Sequence, residues 1–404
     1  MTATLTRNRL RGATPPPPRP GPVTEFHRRF PDYAPTPLVE LPSIAAALGV
    51  GRVLVKDESD RLGLPAFKML GAAWASYRAL VERLGHEPTW STFDELAAAL
   101  EPFHPIALAT ATDGNHGRAV ASFARRVGVG ARIFVPAGTS RSRIDAVLGE
   151  GASCEVVDGT YEDAVARAAL EAGDDCLVVS DTSWEGYETI PAIVIEGYAT
   201  IFAEVAAQSA AAGLPAPDLV VIPMGVGALA AATAQWYRSE GFDPGLLLLG
   251  VEPTTANCVQ ASAEAGRIVE VPGPHRSIMA GLNCGLPSPV AWPWVSTGFD
   301  WFVSIDDADA EHAMRSLAAC GVVSGETGAA SLGALEAIGD LGVLGLGADA
   351  TVLLVSTEGA TDPSFFTATV GRDPAQVATG APACVAAVGR DGTCPVERCP
   401  GVCR

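Results

Sequence analysis

The chain alternates short apolar runs with Ala-rich helical patterns, and this alternation predicts an α/β protein built on parallel sheets. Parallel strands need a crossover connection, usually a helix, so a repeated strand-then-helix order is their signature. The chain has 404 residues, of which 48% are hydrophobic, enough for two domains with sizeable cores. We therefore predict two doubly wound parallel-sheet domains. The expected strands include residues 106–109, 132–135, 154–157, 176–179, 219–223, 246–251 and 351–355, and the expected helices include residues 116–127, 142–150, 161–172 and 191–211.

The two ends of the chain lack this alternation. Residues 1–33 are rich in Pro and Arg and have no helical or strand period, so we expect a loose leader or an arm that wraps a neighbour. Residues 371–404 form a Cys-rich tail without a clear element. Between these ends we predict a larger domain from residues 34–75 and 192–370, and a smaller mobile domain from residues 76–191.

Charge and hydropathy exclude several kinds of partner. The net charge of −19 argues against nucleic acid or an anionic membrane as a partner. The most apolar stretch, residues 219–236, is interrupted by Pro223, Gly225 and Gly227, so we expect no membrane span. No apolar run follows the arginines near the N-terminus, which disfavours a secretory signal. We expect a cytoplasmic protein, as a homodimer, that acts on a small molecule.

A lysine, Lys68, stands at the start of a predicted helix whose next residues are small and apolar. The N-terminus of a helix favours negative charge, so an amine there is more readily kept neutral. A neutral amine is a nucleophile that forms a Schiff base with an aldehyde. Because lysines are usually exposed, an ordinary surface lysine is the alternative interpretation.

A second loop follows the predicted strand at residues 106–109 and carries Asp113, Gly114, Asn115 and Gly117. The glycines let backbone N–H groups approach a ligand, and Asn115 offers both a donor and an acceptor. Asp113 adds a carboxylate at the mouth of the loop. A plain helix cap made by Asp or Asn is the alternative interpretation.

A third loop, residues 223–229, follows an apolar strand and opens a helix with two glycines. Successive backbone N–H groups at a helix start suit a phosphate. The spacing of Gly225, Gly227 and Ala230 also fits a dinucleotide-binding loop, and Glu252 ends the next strand where a ribose-binding acid would stand. Taken alone, this loop favours a nicotinamide site about as well as any other phosphate site.

Two further helix starts, residues 324–329 and 355–362, come late in the chain. The second carries Ser356 and Thr357, and a hydroxyl there is able to hydrogen-bond a ring nitrogen without protonating it. The alternative is that both loops are the Gly-containing helix starts that any α/β protein needs.

Together these loops resemble fold-type II pyridoxal-phosphate enzymes, the group that includes serine and threonine dehydratases, threonine synthase, cysteine synthase and the tryptophan synthase β chain. The resemblance covers roughly residues 35–370. It rests on a Phe-Lys helix start, a Gly-Asn-His-Gly turn, a glycine phosphate loop and a late Ser-containing loop, in the family's order. It implies a two-domain fold with pyridoxal 5'-phosphate between the domains, and it disfavours the nicotinamide alternative.

Within that group the chain most resembles the diaminopropionate ammonia-lyase family, which implies conversion of 2,3-diaminopropionate to pyruvate and two ammonia molecules. Dehydratases generally carry a small residue where Asp113 stands. The substrate's second ammonium needs a carboxylate near Cβ, and Asp113 and Asp181 are the candidates. The segments that carry the resemblance are residues 56–59, 66–71, 112–118, 181–187, 278–282 and 356–359.

The resemblance also implies roles for single residues. Lys68 would hold the cofactor, and Lys68 or Asp113 would remove the α-proton. Asp113 and Asp181 on opposite faces would let both substrate enantiomers react. His116 would support its loop and not act as a base. The implied cofactor contacts are Asn115 at the ring hydroxyl, Ser356 at the ring nitrogen with Thr357 as second choice, and Gly225, Val226, Gly227, Ala228 and Leu229 at the phosphate.

Several alternatives remain open at this point. A serine/threonine dehydratase or a β-replacement synthase would share the loops and act on a related or modified β-substituted amino acid. A non-catalytic cofactor-binding protein is disfavoured because Lys68 is present. The tail cysteines lack paired C-x2-C units and a nearby histidine, so we expect a disordered tail, with a redox or disulfide role second and no metal site. These cysteines are Cys384, Cys394, Cys399 and Cys403.

Overall fold

A computed structural model describes residues 3–16, 21–112, 114–239 and 243–379 of the chain. Its strands are β1 (Thr4–Arg7), β2 (Leu38–Glu40), β3 (Arg52–Asp57), β4 (Ala107–Ala111), β5 (Gly130–Pro136), β6 (Ser153–Val157), β7 (Cys176–Val178), β8 (Leu219–Pro223), β9 (Leu247–Pro253), β10 (Trp301–Ile305) and β11 (Thr351–Ser356). Its helices are α1 (Val23–His27), α2 (Pro42–Leu48), α3 (Lys68–Leu84), α4 (Phe93–Leu100), α5 (Asn115–Arg126), α6 (Arg141–Gly149), α7 (Tyr161–Ala169), α8 (Thr189–Gly197), α9 (Ala199–Ala212), α10 (Ala228–Tyr237), α11 (Cys258–Ala265), α12 (Trp292–Gly298), α13 (Asp307–Ala319), α14 (Glu326–Ile338), α15 (Pro363–Val370) and α16 (Pro374–Ala378).

The described chain divides into two compact units. The predicted boundaries differ from this division, because they would place residues 68–75 and 192–198 in the larger domain. Those boundaries cut through α3 and α8, and each of these helices lies whole in the smaller unit, where the two pack on each other. The larger unit comprises described residues 3–16, 34–67, 199–239 and 243–379, and the smaller unit comprises described residues 21–33, 68–112 and 114–198.

The larger unit contains a seven-stranded sheet in the order β1-β10-β9-β8-β11-β3-β2. Its inner strands are parallel, while β1 and β2 pair antiparallel at the two edges. Every residue of β8 and β11 is buried. Strands covered by helices on both faces are buried throughout, which explains their continuous apolar sequences. The carboxyl ends of β8 and β11 lead into the loops predicted to hold phosphate and ring nitrogen.

The smaller unit contains a four-stranded sheet in the order β6-β5-β4-β7, and all its pairs are parallel. Its core joins small residues of β4, such as Ala109, to Phe134 on β5 and Val178 on β7. The carboxyl end of β4 leads into the Asn115 turn, and β7 leads towards Asp181. The parallel inner strands of the larger sheet and the all-parallel smaller sheet confirm the predicted fold class.

All seven of these predicted strands are present, and the structure adds β1, β2, β3 and β10 to them. Two of these, β1 and β2, are short edge strands of four and three residues, which carry little periodic signal. The predicted helix at 191–211 is two helices, α8 and α9, separated at Tyr198.

The expectation of a loose leader is wrong for the described N-terminal residues. Strand β1 pairs with β10 at the edge of the larger sheet. In the smaller unit Phe26 of α1 is 3% exposed and stacks on Tyr77 with ring centroids 4.8 Å apart. The buried ring of His27 contacts the carbonyl oxygen of Leu70 at 3.0 Å. Buried aromatic rings therefore anchor a segment that was expected to be loose because of its Pro and Arg content.

Among the described residues, one helical stretch, Thr189–Ala212, is long and apolar enough to cross a membrane, with a mean hydropathy of 1.5. Length and composition do not separate a spanning helix from a core helix, and 56% of this window is buried inside the protein.

Candidate active site

Lys68 is the first residue of α3, as predicted. The whole sequence contains only two lysines, Lys56 and Lys68. The side chain of Lys56 is 0% exposed and paired with a glutamate, whereas that of Lys68 is 20% exposed. Lys68 is therefore the lysine whose amine is open to a small-molecule aldehyde.

The amine of Lys68 lies against a carboxylate in the smaller unit. Its Nζ donates to Oδ2 of Asp181 at 2.7 Å. The hydroxyl of Tyr161 donates to the other oxygen of Asp181 at 3.3 Å. His116 Nδ1 lies 3.9 Å from Asp181 Oδ2, and its Nε2 contacts the carbonyl of Val179 at 2.8 Å. Lys68 and Asp181, both predicted as catalytic, are thus adjacent.

The surroundings keep Asp181 negatively charged. Burial by itself would raise the pKa of the Asp181 carboxyl, but the neighbouring Lys68 and His116 outweigh it and hold that pKa well below its usual range. Asp181 is therefore an anion at neutral pH, able to stabilise one positive charge next to the Lys68 amine.

Asn115 is the first residue of α5, where its turn was predicted to meet a ligand. In the preceding loop the N–H of Gly114 donates to the hydroxyl of Thr112 at 2.9 Å. A Cβ at Gly117 would lie 2.3 Å from the Thr112 methyl group, so Gly117 is required by packing inside the unit. Asp113, the other predicted acid, lies outside the described residues.

The glycine loop after β8 has the form of an anion cup in the larger unit. Gly227 has a φ of +98°, caps α10 and offers no side chain to the first-turn N–H groups. Those N–H groups therefore suit an outside anion. A Cβ at Gly225 would lie 2.8 Å from the carbonyl oxygen of Gly281 and 3.1 Å from Cys284 Sγ. Glycine at this position is therefore required by packing against the segment that carries Gly281 and Cys284.

The loop after β11 holds the two hydroxyls predicted for the ring nitrogen. Ser356 is buried and donates to the hydroxyl of Ser324 at 2.8 Å. Thr357 is 3% exposed, and within the described residues its Oγ1 has no hydrogen-bond partner. A buried hydroxyl without a partner is costly, so Thr357 points to an acceptor or donor supplied from outside the protein. This also fits a cofactor ring.

Several polar residues beside these groups belong to no sequence motif. Tyr161 contacts Asp181, and the buried hydroxyl of Tyr198 lies beside Lys68. Thr327 is 6% exposed, with an unpartnered Oγ1 among the described residues, and it lies over Gly281 next to the cup. A single sequence carries no signal for these positions, because only the fold brings them to the loops that the motifs identified.

Glu252, the residue that would bind the ribose in a dinucleotide site, has a different role in the structure. Glu252 is 0% exposed, and its two carboxylate oxygens accept the N–H groups of Val259 and Gln260, each at 2.8 Å. It thus caps the start of α11. Burial raises the pKa of Glu252 to about 8, although the two N–H groups oppose this. A fully buried cap cannot bind a ribose, and the nicotinamide interpretation is wrong on this point.

Within the described ranges, no group of three or more His, Cys, Asp or Glu side chains is arranged to hold a metal ion. The predictions for Cys384, Cys394, Cys399 and Cys403 lie outside the described residues.

Known proteins are similar to this chain in both sequence and fold. A family model described as pyridoxal-phosphate dependent enzyme matches residues 30–358. A diaminopropionate ammonia-lyase of Escherichia coli K12 is 39% identical over 355 residues, which cover 85% of this chain and 88% of that protein. The Escherichia coli enzyme in complex with D-serine has a TM-score of 0.84 at 37% identity, covering 91% of this chain and 97% of that one. Its complex with an aminoacrylate-PLP azomethine reaction intermediate has a TM-score of 0.81 at 35% identity, with the same coverage.

The lysine at a helix start, the glycine loop before α10 and the late hydroxyl loop agree with this match over most of the chain. The chain belongs to the pyridoxal-phosphate-dependent enzymes and, within them, to the diaminopropionate ammonia-lyase family.

Proposed function

We propose that this chain is a pyridoxal-phosphate-dependent lyase that converts 2,3-diaminopropionate and water to pyruvate and two ammonia molecules. The observation that carries the proposal is the 2.7 Å contact between the Lys68 amine and the Asp181 carboxylate. Relatives 39% identical over most of the chain carry the name of this activity and support the substrate.

Lys68 and Asp181 supply the proton chemistry. The Lys68 amine is neutral when it acts as a nucleophile or base and becomes an ammonium when it takes up the α-proton of the substrate. Asp181 Oδ2 accepts a hydrogen bond from Lys68 Nζ at 2.7 Å and is placed to stabilise that ammonium. Because the pKa of Asp181 is held low, the carboxylate stabilises a positive charge beside Lys68 without keeping the proton itself. Asp113 remains the second candidate base.

A carboxylate also explains the choice of substrate. Diaminopropionate carries a second ammonium on Cβ, and a hydroxy amino acid does not. A carboxylate binds an ammonium through charge-assisted hydrogen bonds, which are about twice as strong as neutral ones. We assign this binding to Asp181 or Asp113, and the ammonium leaves from Cβ as ammonia.

Pyridoxal phosphate, when bound, supplies an electron sink for the pair left at Cα after proton loss. The chain contributes the remaining contacts. Gly225, Val226, Gly227, Ala228 and Leu229 would hold the phosphate at the start of α10. Asn115 would hold the ring hydroxyl, and Ser356 or Thr357 would hydrogen-bond the ring nitrogen.

The test is a pyruvate assay with the purified protein, supplied with pyridoxal phosphate. D- and L-diaminopropionate, serine and threonine are compared at equal concentration. Pyruvate from diaminopropionate, with little 2-oxo acid from serine or threonine, supports the proposal. If the protein binds the cofactor but forms no product from any of these four amino acids, diaminopropionate is not its substrate. That result would favour a β-replacement synthase or an enzyme that acts on a modified diaminopropionate.

The carboxylate assignment is tested with Asp181→Asn. The variant should lose far more activity on diaminopropionate than on serine, because only diaminopropionate has the second ammonium. The matched control is Asp145→Asn, since Asp145 is 52% exposed and pairs with Arg141 on the surface of α6. Equal losses on both substrates would remove Asp181 from substrate recognition.

A cytoplasmic homodimer remains a prediction. Light scattering on the purified protein distinguishes a single chain of 41.5 kDa from a dimer of twice that mass.

A further inference from the structure

Four charged side chains form a buried cluster in the larger unit that the proposed chemistry does not use. Lys56, Glu58, Arg61 and Glu204 have side chains between 0 and 3% exposed. Two cations face two carboxylates, so the cluster is neutral as a whole. Burial of any one of these charges without its partners would be strongly unfavourable.

Arg61 holds the cluster together. Its guanidinium donates to both oxygens of Glu58, at 2.6 and 2.8 Å, and to both oxygens of Glu204, at 2.7 and 2.8 Å. Lys56 Nζ donates to Glu204 at 2.7 Å and to the carbonyl of Thr36 at 2.7 Å. A planar guanidinium makes two forked contacts at once, which a lysine ammonium cannot reproduce.

The turn that follows Arg61 is strained. Leu62 has a φ of +56° and is 4% exposed, and Gly63 has a φ of +79°. The main chains of Arg61 and Leu64 close the turn with reciprocal hydrogen bonds of 2.7 and 3.1 Å. A leucine in the left-handed region persists only where its surroundings fix it. The forked contacts of Arg61 fix the residue directly before this leucine.

Residues 58–67, here named the anchor segment, also bind the loop that carries the two hydroxyls. The N–H of Glu58 donates to the carbonyl of Ser356 at 2.9 Å, and the N–H of Phe67 donates to the carbonyl of Thr357 at 3.1 Å. Phe67 directly precedes Lys68 in the chain. The anchor segment thus connects the charged cluster to two parts of the cofactor machinery.

We propose that Arg61, with Glu58, is a positioning residue for the cofactor: the buried cluster holds the anchor segment and thereby sets the main chain at the Ser356–Thr357 loop and immediately before Lys68. This gives a role to the segment at residues 56–59, which the family resemblance singled out without assigning one. The proposal rests on the cofactor of the proposed function and is independent of its substrate.

The decisive variant is the charge-balanced pair Arg61→Met with Glu58→Gln. It removes one cation and one anion and leaves Lys56 paired with Glu204. Balanced removal of a buried ion pair is often tolerated by the fold. The matched control is Arg52→Met with Glu40→Gln, which removes an Arg–Glu pair of 2.7 Å at the opposite end of β3.

Pyridoxal phosphate is titrated into each cofactor-free protein while the absorbance and circular dichroism of the bound cofactor are recorded, and thermal unfolding is measured in parallel. We expect the Arg61/Glu58 variant to bind the cofactor at least tenfold more weakly with an altered circular dichroism signal, and the control to match wild type. Wild-type affinity and an unchanged signal in the Arg61/Glu58 variant would overturn the proposal.

A second variant tests the proposal if the Arg61/Glu58 variant does not fold. Arg61→Lys keeps the charge of the cluster and loses the forked contacts, so it should show the same weakening of cofactor binding. Wild-type binding by Arg61→Lys would likewise overturn the proposal. Because no substrate is added, these results are independent of whether diaminopropionate gives pyruvate.

Discussion

Replacement of Asp181 by asparagine should make the Lys68 amine easier to deprotonate. The carboxylate contacts Lys68 Nζ at 2.7 Å, with the two side chains 20% and 9% exposed. A hydrogen bond between charged groups contributes about 1.5–3 kcal/mol. Loss of the carboxylate should therefore lower the pKa of Lys68 and raise the fraction of its amine that is deprotonated at neutral pH.

The composition of the chain makes this shift measurable. Lys56 is buried in its ion cluster, so an amine-acylating reagent applied to the cofactor-free protein modifies Lys68 and the N-terminal amine. Peptide mass spectrometry separates these two products. The acylation rate of Lys68 is measured against pH in wild type, Asp181→Asn and the surface control Asp145→Asn.

An identical pH dependence in wild type and Asp181→Asn would refute this electrostatic reasoning. Stability gives an independent check. The pKa of Asp181 is lower in the folded protein than its unfolded value of 3.8, so its contribution to stability is present above that pH and is lost as the pH falls through the folded pKa. Wild type and Asp181→Asn should therefore differ in denaturant unfolding by a constant amount between about pH 6 and 8, and the difference should shrink in acid.

Three further predictions concern the cofactor. Borohydride reduction of the loaded protein should attach pyridoxal phosphate to Lys68 and leave Lys56 unmodified, as read by peptide mass spectrometry; attachment at Lys56 would contradict the site. Thr357→Val should stabilise the cofactor-free protein by about 1 kcal/mol, because a buried hydroxyl without a partner is removed. The same variant should bind the cofactor more weakly, and Ser356→Ala is the comparison. Unchanged cofactor binding in Thr357→Val would assign the contact with the ring nitrogen to Ser356. Gly225→Ala should weaken cofactor binding at least tenfold in a fluorescence titration, because its Cβ would press on a neighbouring carbonyl oxygen at 2.8 Å; full binding would show that the cup tolerates a side chain.

Much of the architecture was readable from local sequence patterns. Strand β8 is identical to the predicted run at residues 219–223, because a strand covered on both faces must be apolar at every position. The start of α3 at Lys68 was also predicted, because the helix period begins there. The edge strand β1 was missed, because its four residues pair on one side and carry no such pattern.

The domain division shows a limit of motif-based boundaries. The sequence motifs identify loops, and a loop does not show where a domain ends. The helices α3 and α8 belong to the smaller unit because they pack against each other there. A Cβ at Gly71 of α3 would lie 2.8 Å from the carbonyl oxygen of Val194 in α8. The local sequence does not predict that these two helices pack so closely.

The sequence by itself determined the fold class and the family and singled out Lys68 and the glycine loop after β8 as candidate cofactor contacts, because these depend on residue types at fixed spacings along the chain. Only the tertiary structure decided that Asp181 contacts Lys68 across 113 positions, that Thr357 and not Ser356 has the unpartnered hydroxyl, and that Arg61 joins Glu58 to Glu204. Charge and hydrogen-bond interactions depend on distances of a few ångströms between atoms. For residues far apart in the sequence, those distances are set by the folded structure and not by their separation along the chain.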